Sequence, residues 1–303
     1  MPARTDMVKQ MLEEIKKGVN SLNRACTCPE CKPEAYTDTP CLYRPKRRNV
    51  DSEPFPASNA PVPFLSVRSF DAMHLAEQTT QYIDRKGPQM YTRQRDAMQR
   101  WQALVEDGDL VARLAKPNIK QFVAIKELQK ALAVFNDLYF FGALKNIRIV
   151  YGNRLSKSNR IHGFGHAFTA MTGQASTIVI NSTLHYRHEG WEVLATLLHE
   201  ALHCFLEQLT SKICGRCAPC DLRVDNIGRS GHGRSFQLVA MKLDEVGPDQ
   251  LGFDLDMGRI EGLYNDLQIN KNGEWPSTHD MEVWELDASS KSEENDDVRS
   301  KAE

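Results

Sequence analysis

One stretch of twenty residues, 190–209, constrains the fold of this chain more than any other. Its apolar residues recur at intervals of three and four positions, which predicts an amphipathic helix with one wide buried face. Such a helix is stable only when other elements cover its apolar face, so the chain must build a core around it. The residues expected on the buried face are Val193, Leu194, Leu197, Leu198, Ala201, Leu202, Phe205 and Leu209.

Three polar residues of this stretch form the pattern HExxH, namely His199, Glu200 and His203. Residues four positions apart lie on one face of a helix, so both imidazoles can reach one tetrahedral Zn²⁺. Glu200, one position after the first histidine, can then contact the zinc-bound water as a general base. The spacing therefore predicts two metal ligands and one catalytic carboxylate.

A catalytic zinc needs a third protein ligand and keeps one position open. The metzincin continuation is excluded, because Leu206 and Leu209 occupy the positions of its glycine and histidine. Downstream, His232 is the favoured third ligand, since the glycines on either side of it allow a close approach to a metal just before a predicted helix. The other downstream candidates are Asp225, Asp244 and Glu245.

The elements around this site predict an α+β domain over residues 118–247. A long apolar stripe predicts a helix that Gly142 ends, and polar turns separate the short strand-like runs that follow it. The strand at Ser176–Asn181 is expected to be a sheet edge on which an extended peptide pairs through its main chain. The other expected elements are helices at 118–141 and 233–245 and strands at 147–151 and 163–170.

The rest of the chain divides into segments of distinct composition. A short amphipathic helix with a cysteine cluster is expected over 1–43, a basic and proline-rich linker over 44–65, and a helical extension over 66–117. The C-terminal extension, 248–303, becomes acidic, and its residues after about 286 are expected to be disordered.

The charge and hydropathy of the chain exclude two classes of protein. The formal net charge is −2, so the chain is not a globally basic nucleic-acid binder. No apolar run reaches about 18 residues, so neither a membrane-spanning helix nor a membrane partner is expected. The basic run at 44–48 resembles a nuclear localisation signal, which favours an intracellular protein in the nucleus over one in the cytoplasm.

Seven of the eight cysteines fall into two clusters, and the eighth, Cys204, stands apart. In a long chain such clustering favours metal ligation or free thiols over a disulfide framework. The first cluster contains one CxxC, Cys28 through Cys31, which has the turn-forming shape of a zinc knuckle. The candidate ligands of a structural zinc are Cys26, Cys28, Cys31, Cys41, Cys214, Cys217 and Cys220.

Several motifs besides HExxH lie between residues 118 and 247, and the combination resembles the SprT-like zinc metallopeptidases, the Spartan-related family. This region is under half of the chain. The sequence has no cysteine after residue 220, whereas many relatives carry a zinc ribbon on the C-terminal side of this region. The matching motifs are Phe135-Asn136 through Phe141-Gly142, the strand that contains Gly163, Ile178-Val179-Ile180-Asn181, Thr196 through His203, and Gly231-His232-Gly233-Arg234-Ser235-Phe236.

The resemblance implies a zincin-like core: a helix, a small and mainly antiparallel sheet, the HExxH helix and a following helix. It implies that His199, His203 and His232 bind zinc and that Glu200 is the catalytic carboxylate. It further implies peptide-bond hydrolysis, with DNA-bound or crosslinked proteins as substrates. DNA–protein crosslink repair is thereby suggested, with single-stranded or damaged DNA as a partner.

Two functions follow as hypotheses from these residues. In the first, the chain is a zinc-dependent endopeptidase in which Glu200 takes a proton from the zinc-bound water and passes it to the leaving amine. In the second, the chain is a catalytically inactive, zinc-stabilised adaptor that binds nucleic acid. The presence of Glu200 favours the enzyme, because an inactive fold has no need of a carboxylate at that position.

Overall fold

The structure is a computed structural model of the chain. It describes residues 4–22, 26–28, 30–32, 62, 65–68, 70–106, 123–152, 163–166, 176–182, 190–211, 224–269 and 276–286. Four features singled out in the sequence lie outside these ranges: Cys41, the second cysteine cluster, the basic run at 44–48, and the acidic tail after 286.

Helices and strands both contribute to the described part of the chain, and the expected α+β class is confirmed. The helices are α1 (Arg4–Leu22), α2 (Ala72–Ile83), α3 (Thr92–Glu106), α4 (Ile125–Tyr139), α5 (Gly190–Leu209), α6 (Arg234–Leu251), α7 (Arg259–Ile269) and α8 (Thr278–Val283). The strands are β1 (Ile147–Gly152), β2 (Gly163–His166) and β3 (Ser176–Asn181). A single 3₁₀ turn, Gly87–Gln89, separates α2 from α3.

The three strands form one mixed sheet in the order β1, β3, β2. β1 pairs with β3 in parallel along its whole length, whereas the shorter β2 pairs with β3 antiparallel. The expectation of a mainly antiparallel sheet is therefore wrong. Strand pairing is a non-local property, and the apolar patterns of the separate strands did not reveal their directions.

β3 is the central strand, so the prediction that Ser176–Asn181 forms a sheet edge is also wrong. Both of its sides are already paired, which leaves no main-chain groups for an added peptide strand. The consecutive β-branched residues Ile178, Val179 and Ile180 were the signal for this position, because such runs are typical of strands with neighbours on both sides. Ile178 and Ile180 are fully buried.

Residue contacts divide the chain into two compact units. The first unit comprises Met1–Leu42, Ile213–Gln237 and Arg259–Glu303, and the second comprises Tyr43–Lys212 and Leu238–Gly258.

The core of the second unit surrounds α5, whose bounds are those expected from the apolar pattern. Every residue predicted on its buried face is at most 2% exposed. Phe205 packs against Phe140 with ring centroids 5.0 Å apart, and Trp101 of α3 lies 5.7 Å from Phe135 of α4. Aromatic packing thus contributes to the core around the helix that carries HExxH.

α4 ends where Gly142 predicted that it would. Gly142 has a positive φ of +67°, and its N–H donates to the carbonyl of Asn136, which is a common way to close a helix C-terminus. A Cβ at Gly142 would also collide with the guanidinium of Arg93, which donates to the Phe141 carbonyl at 2.7 Å. The glycine therefore serves both the backbone conformation and the packing.

α6 extends further than the sequence predicted, to Leu251 rather than to Glu245. The pair Gly247-Pro248 reads as a stop signal, yet both residues lie within the helix. A Cβ at Gly247 would lie 2.5 Å from a side-chain methyl group of Leu255, so the glycine permits the segment after α6 to pack closely on it. Close packing, rather than helix termination, explains this glycine.

The first unit has a smaller apolar core. Ile15 and Val19 of α1 pack with Leu263 of α7 and with Met281 and Trp284 of the C-terminal α8 region. The amphipathic pattern predicted for the N-terminal segment is thereby confirmed for α1. No helix in the described ranges is long and apolar enough to cross a membrane.

A buried glutamine, Gln94, joins three helices of the second unit. Its amide nitrogen donates to the carbonyls of Tyr82, at 2.9 Å, and Leu138, at 3.1 Å, near the ends of α2 and α4. Its amide oxygen accepts from the N–H of Tyr91 at the start of α3. Because Gln94 is 1% exposed, water cannot replace these contacts.

We expect Gln94→Ala to lower the free energy of unfolding by about 2 to 4 kcal/mol, because it leaves buried backbone groups without partners. Urea unfolding of the full chain measures the change. Gln99→Ala is the matched control on the same helix, where the side chain is exposed, and should change stability by less than about 0.5 kcal/mol. Equal effects of the two substitutions would contradict the bridging role of Gln94.

Candidate metal centre

His199 and His203 present their Nε2 atoms to one point beside α5. The two Nε2 atoms are 3.0 Å apart, and the imidazole rings are inclined by 67°. Two histidine nitrogens on a tetrahedral zinc, each about 2.0–2.1 Å from the metal, would be separated by about 3.3 Å. The pair predicted from the i, i+4 spacing therefore has a geometry that fits a shared metal ion with little adjustment.

The other ring nitrogen of His199 is held by the backbone. Nδ1 lies 2.7 Å from the carbonyl oxygen of Met257, which can only accept, so Nδ1 carries the proton. In the neutral ring Nε2 is then the unprotonated nitrogen, which is the form of imidazole that binds a metal. Met257 is itself fixed, because its N–H donates to Asp244 Oδ1 at 2.9 Å.

The segment that supplies Met257 alternates between buried and exposed positions. Phe253, Leu255 and Met257 are buried, whereas the residues between them are exposed. Phe253 stacks on Trp191 near the start of α5 with ring centroids 4.7 Å apart. This period-2 pattern was visible in the sequence, but nothing in it indicated that the segment supports His199.

His232 is oriented by a chain of two hydrogen bonds within the first unit. Its Nδ1 lies 2.8 Å from Ser230 Oγ, and the Ser230 hydroxyl donates to Asp266 Oδ1. The single hydroxyl proton goes to the carboxylate, so the serine oxygen accepts from Nδ1–H of His232. Nε2 of His232 is then its unprotonated nitrogen, as in His199.

Asp266 is 1% exposed and anchors this chain of hydrogen bonds. Burial raises the pKa of its carboxyl, and the hydrogen bonds from Ser230 oppose that shift. Two glycines allow the arrangement. A Cβ at Gly228, where φ is +80°, would collide with Asp266, and a Cβ at Gly262 would lie 2.7 Å from Cγ of His232.

His199, His203 and His232 form a group of side chains that could hold a metal ion. They are the three residues that the sequence favoured as ligands. The other candidates do not join this group: Asp244 supports Met257, and Glu245 pairs with Lys242 at 2.6 Å. Asp225 also lies outside this group.

Glu200 is 4% exposed and lies on α5 directly after His199. Carboxylates are seldom this buried unless they are paired or functional. Burial is the main reason that the pKa of the Cys204 thiol is raised, and the charges of Glu200 and Glu207 add to this effect. Cys204 is therefore a neutral thiol in the core at ordinary pH.

A second group of ligand atoms consists of thiols. The Sγ atoms of Cys26, Cys28 and Cys31 lie within 4.8 Å of one another. These are three of the seven cysteines predicted to bind a structural metal. The other four, Cys41, Cys214, Cys217 and Cys220, lie outside the described residues.

Comparison of the chain with protein-family models, with curated proteins and with solved structures finds no match. The similarity to SprT-like peptidases remains a prediction from motifs.

We expect Gly262→Ala to weaken zinc binding by about 10- to 100-fold, because the added methyl group displaces the His232 ring. Isothermal titration of the zinc-depleted full chain measures the affinity. Gly18→Ala is the matched control in another helix, where a Cβ meets nothing within 4 Å. It should leave zinc affinity unchanged and raise stability by up to about 1 kcal/mol.

Proposed function

We propose that this chain is a zinc-dependent endopeptidase of the SprT-like type, built on a zincin-like core. One observation carries the proposal. The Nε2 atoms of His199 and His203 are 3.0 Å apart, and the Met257 carbonyl fixes the tautomer of His199 in which Nε2 is the unprotonated nitrogen. His232, with its own support from Ser230, supplies the third imidazole.

Zinc fits this donor set better than the other common metals of proteins. Three neutral imidazoles suit a borderline-soft cation, whereas Mg²⁺ and Ca²⁺ prefer oxygen ligands. Three protein ligands are also the number used at catalytic zinc sites. When bound, zinc supplies Lewis acidity, which acidifies water and polarises the carbonyl of a peptide bond.

Glu200 is the residue proposed to move the proton. It follows His199 by one position, about 100° around the helix, which places it about 60° past His203 on the same side. Its carboxylate would accept a proton from the attacking water and give it to the leaving amine. The burial of Glu200 supports this role, because exclusion of water strengthens its interactions with charged groups.

The alternative function, an inactive adaptor that binds nucleic acid, has less support. Several arginines of α3 that might have formed a basic surface make contacts within the second unit. Arg100 pairs with Asp137 at 2.6 Å, and Arg93 donates to the carbonyl of Phe141. The adaptor function also does not explain the presence of Glu200. The peptidase accounts for more of the observed side chains.

The substrate class rests on the similarity of motifs alone. We propose DNA-associated or DNA-crosslinked proteins as substrates, single-stranded or damaged DNA as a partner, and the nucleus as the location. Repair of DNA–protein crosslinks would then be the process served. These proposals are tested by the dependence of cleavage on DNA.

We expect Glu200→Gln to lower cleavage of a histone, or self-cleavage, by at least about 100-fold while zinc content stays the same. Glu207→Gln is the matched control, since this glutamate is exposed on the same helix. Both proteins and the wild type are assayed with and without single-stranded DNA. Equal activity of Glu200→Gln and wild type would refute the role of Glu200, and if no protein cuts although zinc is bound, the adaptor is favoured.

We expect His203→Ala to bind one zinc fewer per chain than the wild type, because two imidazoles hold the metal more weakly than three. Elemental analysis after dialysis measures the zinc content. His74→Ala is the control, because His74 is exposed on α2 and does not belong to the histidine group. An unchanged zinc content in His203→Ala would contradict the proposed metal centre.

A further inference from the structure

Three thiols near the N-terminus form a cluster that the peptidase reaction leaves unused. Cys26 is partly buried, Cys28 is buried and Cys31 is exposed, and none of the three is in a disulfide. We propose that these three cysteines bind a zinc ion of their own, which fixes the N-terminal turn against the buried side chain of Arg234. This second metal is structural and is independent of the histidine site.

The turn around the thiols directs backbone N–H groups at the sulfur atoms. The N–H of Cys28 donates to Cys26 Sγ, and the N–H of Cys31 donates to Cys28 Sγ, both at 3.4 Å. These contacts fix the positions of the sulfur atoms within the turn, as supporting hydrogen bonds do for metal ligands. The N–H of Lys32 also donates to the carbonyl of Cys28 at 2.9 Å and closes the turn.

The donor set selects zinc. Thiolates are soft ligands, and the spacing of Cys28 and Cys31 is the CxxC of structural zinc sites. Three thiolates would fill three of the four positions of a tetrahedral zinc. Cys31 is exposed, so the cluster is open to solvent at that residue.

Arg234 explains why this turn needs to be fixed. The guanidinium is 1% exposed and pairs with both carboxylate oxygens of Asp280, at 2.7 Å and 3.0 Å. A buried ion pair is favourable only when its remaining donors are also satisfied. The side-chain oxygen of Asn226 accepts a hydrogen bond from Nη1 of Arg234 at 3.3 Å. The hydroxyl of Thr27, which lies between two of the cysteines, accepts one from Nη2 at 3.2 Å.

The metal-bound turn thus completes the hydrogen bonding of a buried cation in the first unit. Arg234 is the first residue of α6 and follows His232 by two positions. Burial tends to lower the pKa of the guanidinium, but Asp280 and, more weakly, Cys26 raise it above its usual value. The cation would in turn offset the negative charge that three thiolates bring to the zinc.

The first test maps thiol reactivity in the wild-type full chain and needs no variant. The chain is treated with iodoacetamide with zinc present or after chelation, and fragment mass spectra assign each modified cysteine. We expect zinc to slow alkylation of Cys26, Cys28 and Cys31 by at least about 10-fold, because thiolates bound to a metal are poor nucleophiles. Equal modification of exposed Cys31 with and without zinc would overturn the proposal.

The second test separates the two metal sites. Cobalt replaces zinc, and thiolate ligation produces a charge-transfer band in the near ultraviolet. We expect Cys28→Ser combined with Cys31→Ser to weaken the band and remove one metal per chain, while Cys204→Ala leaves the band intact. His203→Ala should keep the band and lose the other metal. A band of unchanged strength in the double variant would overturn the proposal without affecting the histidine site.

The third test concerns the anchor. Thr27→Val keeps the shape of the side chain but removes the acceptor for Arg234, and Thr27→Ser retains it. We expect the valine variant to bind zinc at the thiols about 10-fold more weakly than the serine variant, as for loss of a supporting contact around a metal. Equal affinities of the two variants would overturn the contribution of Arg234.

Discussion

The hydrogen bond from His199 Nδ1 to the carbonyl of Met257 is the contact on which the candidate centre depends. It determines which ring nitrogen is unprotonated, and it links the HExxH helix to a segment 58 residues away in the chain. That segment is held by Asp244 and by burial of its alternate apolar side chains. Without this support α5 would still be a helix with two histidines on one face, but their protonation would be undetermined.

Much of the local structure could be predicted from the sequence. The bounds of α5 and the end of α4 at Gly142 follow from apolar periodicity and from glycine at a positive φ, both of which involve neighbouring residues. The sheet could not be predicted in the same way. Strands β1 and β3 are separated by more than twenty residues, and nothing in either strand records whether its partner runs parallel or antiparallel.

The residues of the candidate site also differ in whether the sequence could reveal them. His199, Glu200 and His203 were found because their chemistry is encoded at a fixed helical spacing. His232 was found from its glycine neighbours and from a similarity of motifs. Ser230 and Asp266, which orient His232, were missed, because a serine and an aspartate 36 residues apart have no periodic relation. Gly262 gave no signal either, since its role is to leave space for a ring rather than to form a turn.

Residues outside HExxH are the main reason to interpret this motif as a candidate metal site. A chance HExxH on a surface helix would place two histidines together, but it would not also fix the tautomer of one from a distant carbonyl. Nor would it orient a third histidine through a serine and a buried aspartate, at a position where glycine alone fits. Burying Asp266 opposes folding, because desolvation disfavours its charge. The structure nevertheless retains the carboxylate of Asp266 beside His232. The orientation of His232 therefore depends on residues that the motif does not contain.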